Sequence, residues 1–409
     1  MSGNSGSRGW AVIGPVGAPA LLAALTGCAL WGSHPVPKPD ADAAVAAAPP
    51  APKYAEPVDT HKFTLTDPDD DVVGEVQVTL ASQEDTLPDI ARRFNVGYEE
   101  IVRANPGVDP WLPGAGRSIV VPTRFVLPDA PHEGIVINVA AMRLYYYPPH
   151  KKGEPQVVYT HPIGIGKVGW STPQGVTSVT SHVKDPIWRP SAALRKDHFN
   201  DNGEDLPAVV QPGPDNPLGK FELTLGWRSF LIHGTNKPYG VGLRSSHGCI
   251  RLYPEDIERI YAMVTNGTRV QVVNQPFLFG LHDGQLFLQA DSVLEDDARD
   301  WAHAQKKLLS RGLAEHIQKT LKAAGTQVDW QGVAAITHAP RGIPVPVTGP
   351  GGSVEAVLAA APTVENRIPT GADWDGSDDT GTSGKSAQQL LLEREPTTAQ
   401  APAPHTPGT

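Results

Sequence analysis

Ser246-His247-Gly248-Cys249-Ile250-Arg251-Leu252, read with the upstream run Ile232-His233-Gly234-Thr235, is the stretch on which the reading of this chain turns. The 409 residues include only two cysteines. The other, Cys28, belongs to a separate feature near the amino terminus, so the thiol at 249 is left without a disulfide partner. A lone cysteine flanked by glycine and histidine, with a second histidine upstream, is the layout of an activated nucleophile. A thiol attacks a carbonyl carbon only as thiolate. It therefore needs a base or a field that lowers its pKa, and backbone donors for the tetrahedral oxyanion. His233 ends the run Ser229-Phe230-Leu231-Ile232, which places it at the tip of a strand. His247 stands two residues before the thiol, and Gly248 lets the backbone turn tightly and expose N–H groups beside Cys249. His233, His247 and Cys249 are three zinc-ligand types where a closed structural site brings four, and neither CxxC nor HExxH occurs. The nucleophile reading is preferred, with no metal and no cofactor.

Around these motifs, residues 134–275 read as mostly β. Gly134-Ile135-Val136-Ile137-Asn138-Val139 has the profile of a buried strand, and Leu144–Tyr147 that of an aromatic one. Val157–Thr160, Val176–Thr180 and Val270–Val273 continue the set, with Gly and Pro between them. One helix stands out after the thiol. Pro254 suits its first turn, Glu255 and Asp256 its positive end, and Ile257, Ile260, Tyr261 and Val264 one face.

Upstream, residues 74–122 form a small β-α-α-β unit. Thr86 and Asp89 make a capping box. Ile90, Ala91 and Phe94 give helical spacing, Gly97 breaks the helix, and a second runs from about Tyr98 to Asn105. Val76, Val78 and Leu80 before, and Ile119 to Val121 after, are the strands. Downstream, Asp283-Gly284 marks a hairpin. A long polar amphipathic helix is then expected from about Val293 to Ala324, with Leu294, Ala298, Trp301 and Leu308 on its apolar side.

The ends are biased. An apolar stretch from Trp10 to Leu25 is too short and too interrupted by Pro15 and Pro19 to span a membrane, and it leads into Leu25-Thr26-Gly27-Cys28 as a cleaved export signal. Residues 32–60 are rich in Pro and Ala and read as a tether. Residues 342–409 are rich in Gly, Pro, Thr, Ser and Asp, and read as disordered. Net charge is −10, with no basic stripe of the kind nucleic acid requires.

The run from Ile232-His233-Gly234-Thr235-Asn236 through Ser246–Leu252 to Asp256-Ile257 closely resembles the L,D-transpeptidase catalytic domain. Ile163-Gly164-Ile165-Gly166, Thr172-Pro173, Gly175 and Gly213–Gly219 match as well. Asp85-Thr86-Leu87, Ile90-Ala91, Phe94–Gly97, Ile101, Ala104-Asn105-Pro106, Gly116 and Pro122 resemble a LysM domain, and Leu25–Cys28 resembles a lipobox.

These resemblances imply a mainly β catalytic domain, an L,D-transpeptidase-like β-sandwich with one short helix, after a LysM domain and before a helical segment. The expected order is a signal peptide over 1–27, a tether over 28–73, LysM over 74–123, the catalytic domain over 134–275, a hairpin and helical extension over 276–340 and a disordered tail over 341–409. The family implies Cys249 as nucleophile and His233 as general base, oriented by the carbonyl of Gly234. Gly248 and Cys249 N–H groups are its oxyanion-hole candidates. Ser246, His247 and Arg251 match the motif. His247 is either a structural partner or a proton carrier, and Arg251 pairs either with a stem carboxylate or with Asp256. Tyr239 and Trp227 either line the cleft or pack in the core; His161, His182 and His198 match no motif.

The implied reaction takes a peptidoglycan tetrapeptide stem, expels D-Ala through a Cys249 thioester and passes the diaminopimelate carbonyl to an amine. That amine belongs to a second stem, giving a 3-3 cross-link, or to an outer-membrane lipoprotein. Water as acceptor gives a carboxypeptidase or amidase instead, and a third reading is a catalytically inactive wall-binding lipoprotein. The implied partners are peptidoglycan glycan and peptide stems, and a membrane through lipid on Cys28. Ala29 after it resembles the outer-membrane class, which puts the protein in the periplasm.

Overall fold

The computed structural model describes residues 54–374, apart from 57–59, 68–69, 302–306, 308, 311–312, 350–351, 371 and 373. The expected export signal, Cys28 and the tail beyond 374 lie outside the described residues.

Nine strands form one continuous row: Lys62–Leu65, Gln156–Pro162, Arg143–Tyr147, Gly134–Asn138, Arg269–Val273, Gly175–Lys184, Phe221–Leu225, Leu231–His233 and Ile250–Arg251. The long strand Gly175–Lys184 turns the corner. Its first part pairs with Arg269–Val272 and its second with Phe221–Leu225, with a register shift between Val179 and Ser181. A bulge bends a strand and increases its twist, so the row folds into two facing layers. Ile135, Ile137, Leu144, Tyr146 and Val270 from one layer meet Leu223, Leu225, Ile232 and Ile250 from the other in a single buried cluster. Helix Pro254–Met263 covers it with Ile257 and Ile260, and has the expected proline and acidic residues in its first turn. The strand pattern predicts a mostly β domain, and the sandwich is the arrangement that the family resemblance implies.

In the small amino-terminal unit, strands Gln77–Leu80 and Ser118–Val121 pair antiparallel beside helices Leu87–Arg93 and Tyr98–Ala104. Thr86 caps the first helix through the Asp89 N–H at 3.2 Å, and the Asp89 carboxylate accepts the Thr86 N–H at 2.8 Å. The unit is docked firmly on the sandwich. Arg92 holds Glu255 with two bonds of 2.9 Å, and the Asn95 side-chain amide donates to the carbonyls of Thr60 and Thr160 at 2.6 and 2.8 Å.

The hairpin joins strands Phe277–His282 and Gln285–Ala290, with Asp283 and Gly284 both at positive φ (49° and 73°), as a primed two-residue turn requires.

Four expectations differ from the structure. The tether region becomes sheet before residue 73: Lys62–Leu65 pairs with Gln156–Tyr159, and Val72–Gly74 with Arg124–Val126. The catalytic domain has a second helix, Ala192–Asn202, with no buried residue, which is why no apolar period announces it. The long helix from 293 is not continuous. Residues 293–300 are non-helical, the Asp297 carboxylate gathering the Arg299 N–H, the Arg299 guanidinium and the Trp301 indole N–H; among the described residues helix is found at 301, 307 and 309–310 and, after a break at 313–314, over Glu315–Ala324. That helix ends at Gly325 in the left-handed region.

Finally, the segment after 341 is ordered to about residue 370. Val345–Pro346 joins the hairpin as a third strand, Val354–Ala360 is a helix capped by Ser353, and Val364 is fully buried in the core of the β-α-α-β unit. Low aromatic content hid this, since the segment uses single apolar residues to complete cores built elsewhere.

Candidate active site

The two motifs meet because their strands run side by side. Leu231–His233 pairs in parallel with Ile250–Arg251, Ile232 opposite Ile250 and His233 opposite Arg251. Side chains alternate along a strand, so His233, Cys249 and Arg251 share one face. Ile232 and Ile250 point the other way, into the core.

His233 is buried, and its Nδ1 lies 2.6 Å from the carbonyl oxygen of Gly234. A carbonyl can only accept, so Nδ1 carries the proton and Nε2 holds the lone pair. Burial, helped by the Arg251 charge, pushes the His233 pKa down to about 3, so the ring is neutral. Burial raises the Cys249 thiol to about 11, against smaller opposing contributions from the Leu231 backbone and the Arg251 cation. The thiol is half-buried and donates to the Ser229 carbonyl at 3.7 Å. The resting pair is thus neutral thiol and neutral imidazole. No local field makes the thiolate in advance, and a base is required.

The turn carrying the thiol is clasped from two sides. Ser246 Oγ donates to the Cys249 carbonyl at 2.6 Å and accepts the Gly248 N–H at 3.1 Å. Thr172 Oγ1 accepts the Gly166 N–H at 3.2 Å and donates to the Gly248 carbonyl at 3.0 Å. Gly248 has φ +104°, and a Cβ there would stand 2.7 Å from the Phe230 ring, so only glycine fits. Since its N–H is already taken by Ser246, it is not a free oxyanion donor in this state.

His247 is held by a carboxylate and an indole. Its Nε2 lies 2.6 Å from Asp197 Oδ2, and the edge of Trp170 packs on its ring. Asp197 and Asp201, one turn apart on helix Ala192–Asn202, both hold Lys167 at 2.8 Å. Lys167, Asp197 and Asp201 are the residues that the sequence reading missed. Of the two readings of His247, the geometry matches the structural partner.

Arg251 does not pair with Asp256. Its Nη1 donates to Ser245 Oγ at 3.1 Å, while Asp256 takes His161 Nδ1 at 2.9 Å in a fully buried pair. Tyr239 is buried and does not line the cleft; Trp227 packs against the sandwich core. His182 bridges Asn266 and the Val264 carbonyl, and His198 sits on the exposed helix beside Asn202. The 213–219 turn abuts the His-Gly-Thr motif: a Cβ on Gly219 would lie 2.8 Å from the Thr235 nitrogen. Buried Asn216 ties that turn down through the Pro186 carbonyl at 2.7 Å.

Comparison with known proteins places the same two modules. Residues 132–272 match the L,D-transpeptidase catalytic domain and residues 82–122 the LysM domain. The chain is 38% identical over 281 residues to a probable L,D-transpeptidase of Salmonella typhimurium, ErfK/SrfK, covering 68% of this chain and 88% of that protein. It is 36% identical to the Escherichia coli ErfK/SrfK, over 68% and 87%. Against the E. coli probable L,D-transpeptidase YcfS it is 46% identical, but over 47% of this chain and 59% of that one. The chain belongs to the L,D-transpeptidase family.

Proposed function

We propose that the protein is a cysteine acyltransferase of the cell wall that acts on peptidoglycan tetrapeptide stems. His233 Nε2 takes the Cys249 proton as the sulfur adds to the diaminopimelate carbonyl at its L-centre. The oxyanion is held by backbone N–H, with Cys249's own amide as the candidate because Gly248's is committed to Ser246. Collapse expels D-Ala, which takes the proton from His233, and leaves a thioester. An amine then attacks, gives its proton to His233 and releases the thiol. A second diaminopimelate gives a 3-3 cross-link, and a lipoprotein lysine a wall-attached protein. The LysM unit supplies the glycan contact. Cys28 carries the lipid that holds the protein at the periplasmic side of the outer membrane.

One observation carries this reading: the 2.6 Å bond from His233 Nδ1 to Gly234 leaves Nε2 as an acceptor on the face it shares with the thiol. The test is mass spectrometry of muropeptides after incubating the protein with a tetrapeptide substrate, beside Cys249→Ala. The expected result is a 3-3 dimer, or a conjugate when a lipoprotein peptide is added, made by the wild type alone. D-Ala release with neither product would move the assignment to hydrolysis, and no turnover with any acceptor would overturn it.

A further inference from the structure

The loop between the two catalytic motifs is held by the LysM unit. Helix Tyr98–Ala104 begins against residues 241–242. Its first two N–H groups have no partner within a helix, and here the Tyr98 N–H donates to the Val241 carbonyl at 3.1 Å and the Glu99 N–H to that of Gly242 at 3.2 Å. The backbones touch. Gly242 has φ +84°, and a Cβ on it would stand 2.2 Å from the Tyr98 nitrogen; one on Gly97 would stand 2.8 Å from the Gly242 Cα. Two glycines facing each other without side chains allow an approach that no other pair would.

From this junction the chain leads straight to the chemistry. The Leu243 carbonyl accepts the Ile165 N–H at 3.0 Å, and strand Arg244–Ser246 runs into His247-Gly248-Cys249. On the other side of the junction, a Cβ on Gly240 would lie 3.0 Å from Arg251 Nη1, the atom that donates to Ser245. The same loop therefore seats the Arg251 guanidinium, which faces His233 across the strand pair.

We infer that Gly242 and the amino end of helix Tyr98–Ala104 are positioning elements for the thiol site: the LysM unit is a buttress of the catalytic loop, in addition to any glycan it holds. The inference rests on the acyl-transfer reading above. A module that only captures wall material would change how much substrate reaches the enzyme. A buttress changes the thiol itself, on a substrate with no glycan at all.

Two substitutions in the full chain test this. Gly242→Ala forces the backbones apart. Tyr98→Pro removes one N–H at the first helical position, where proline is well tolerated, and Gly97 at φ −90°, ψ 167° already has the extended conformation that a residue before proline prefers. In each folded variant we expect kcat on a soluble, glycan-free tetrapeptide to fall at least tenfold with KM little changed. The pH midpoint of Cys249 alkylation by iodoacetamide should move, and binding to isolated sacculi should persist. Unchanged kcat and an unchanged alkylation midpoint in a folded variant of either kind would overturn the inference. The wild-type turnover measured beside them tests the acyl-transfer reading separately.

Discussion

Arg143 and Glu100 form a two-pronged ion pair across the boundary between sandwich and LysM unit, Nε to Oε1 at 2.8 Å and Nη2 to Oε2 at 2.9 Å, with the arginine wholly out of solvent. The remaining guanidinium donors reach the Asn95 carbonyl and Thr160 Oγ1, and the ring of Phe125 lies 3.9 Å from its centre. Breaking one side of such a pair leaves a buried charge alone, which costs about 3–5 kcal/mol. Arg143→Met should therefore lower stability by that order in urea unfolding. Arg143→Met with Glu100→Leu should recover part of the loss.

Replacing His233 with Asn keeps a polar side chain but removes the base. Since burial holds the thiol near pKa 11, no thiolate is available without it. The expected loss is about 10²- to 10⁴-fold in kcat/KM on the tetrapeptide. Steady-state rates beside an intact-mass assay for the thioester check this.

The free enzyme should alkylate slowly at neutral pH. With the Cys249 midpoint near 11, the iodoacetamide rate should climb through pH 9 and 10 without a plateau. A plateau below pH 7 would mean a preformed thiolate–imidazolium pair, contrary to the burial that raises the thiol and lowers the imidazole.

His233 also gives stability a pH signature. Folded, it stays neutral to about pH 3; unfolded, it takes a proton near 6.5. Between those values the unfolded chain binds more protons, so stability is full above 6.5 and falls as pH drops toward 3. The contribution is on the order of 5 kcal/mol at its limit. Urea midpoints for wild type and His233→Asn across pH 4–7 should converge as pH falls.

Ser246→Ala removes both bonds of the clasp, the 2.6 Å donation to the Cys249 carbonyl and the 3.1 Å acceptance from Gly248. Stability should fall by about 1 kcal/mol. The kcat loss should exceed the KM change, because the turn is freed while the cleft is kept.

What could be read in advance was local. The capping box of Thr86 and Asp89, the Asp283-Gly284 turn and the proline-led helix at 254 each declare themselves within four residues, and each is present. The His233 and Cys249 motifs were legible because a strand pair only two residues long brings them together. What escaped depends on distant partners. Helix Ala192–Asn202 buries nothing, so it has no periodic face; its hold on the site is three charges, Lys167, Asp197 and Asp201, each unremarkable alone. Arg251's choice of Ser245 over Asp256 turns on His161, buried in a different strand.

Val364 has a consequence for how the molecule comes into being. It is buried among Ile90, Ile101, Ile119 and Val121, and its carbonyl accepts the Thr79 hydroxyl across 285 positions of chain. Asn366 then bonds to Leu80 and Asp85. The small β-α-α-β unit, made before most of the sandwich, is thus finished after it: its core stays open until the whole sandwich, the hairpin and the helices that follow have been translated. A message truncated between codons 274 and 364 would yield a protein whose catalytic motifs are intact but whose small β-α-α-β unit has a hole in it.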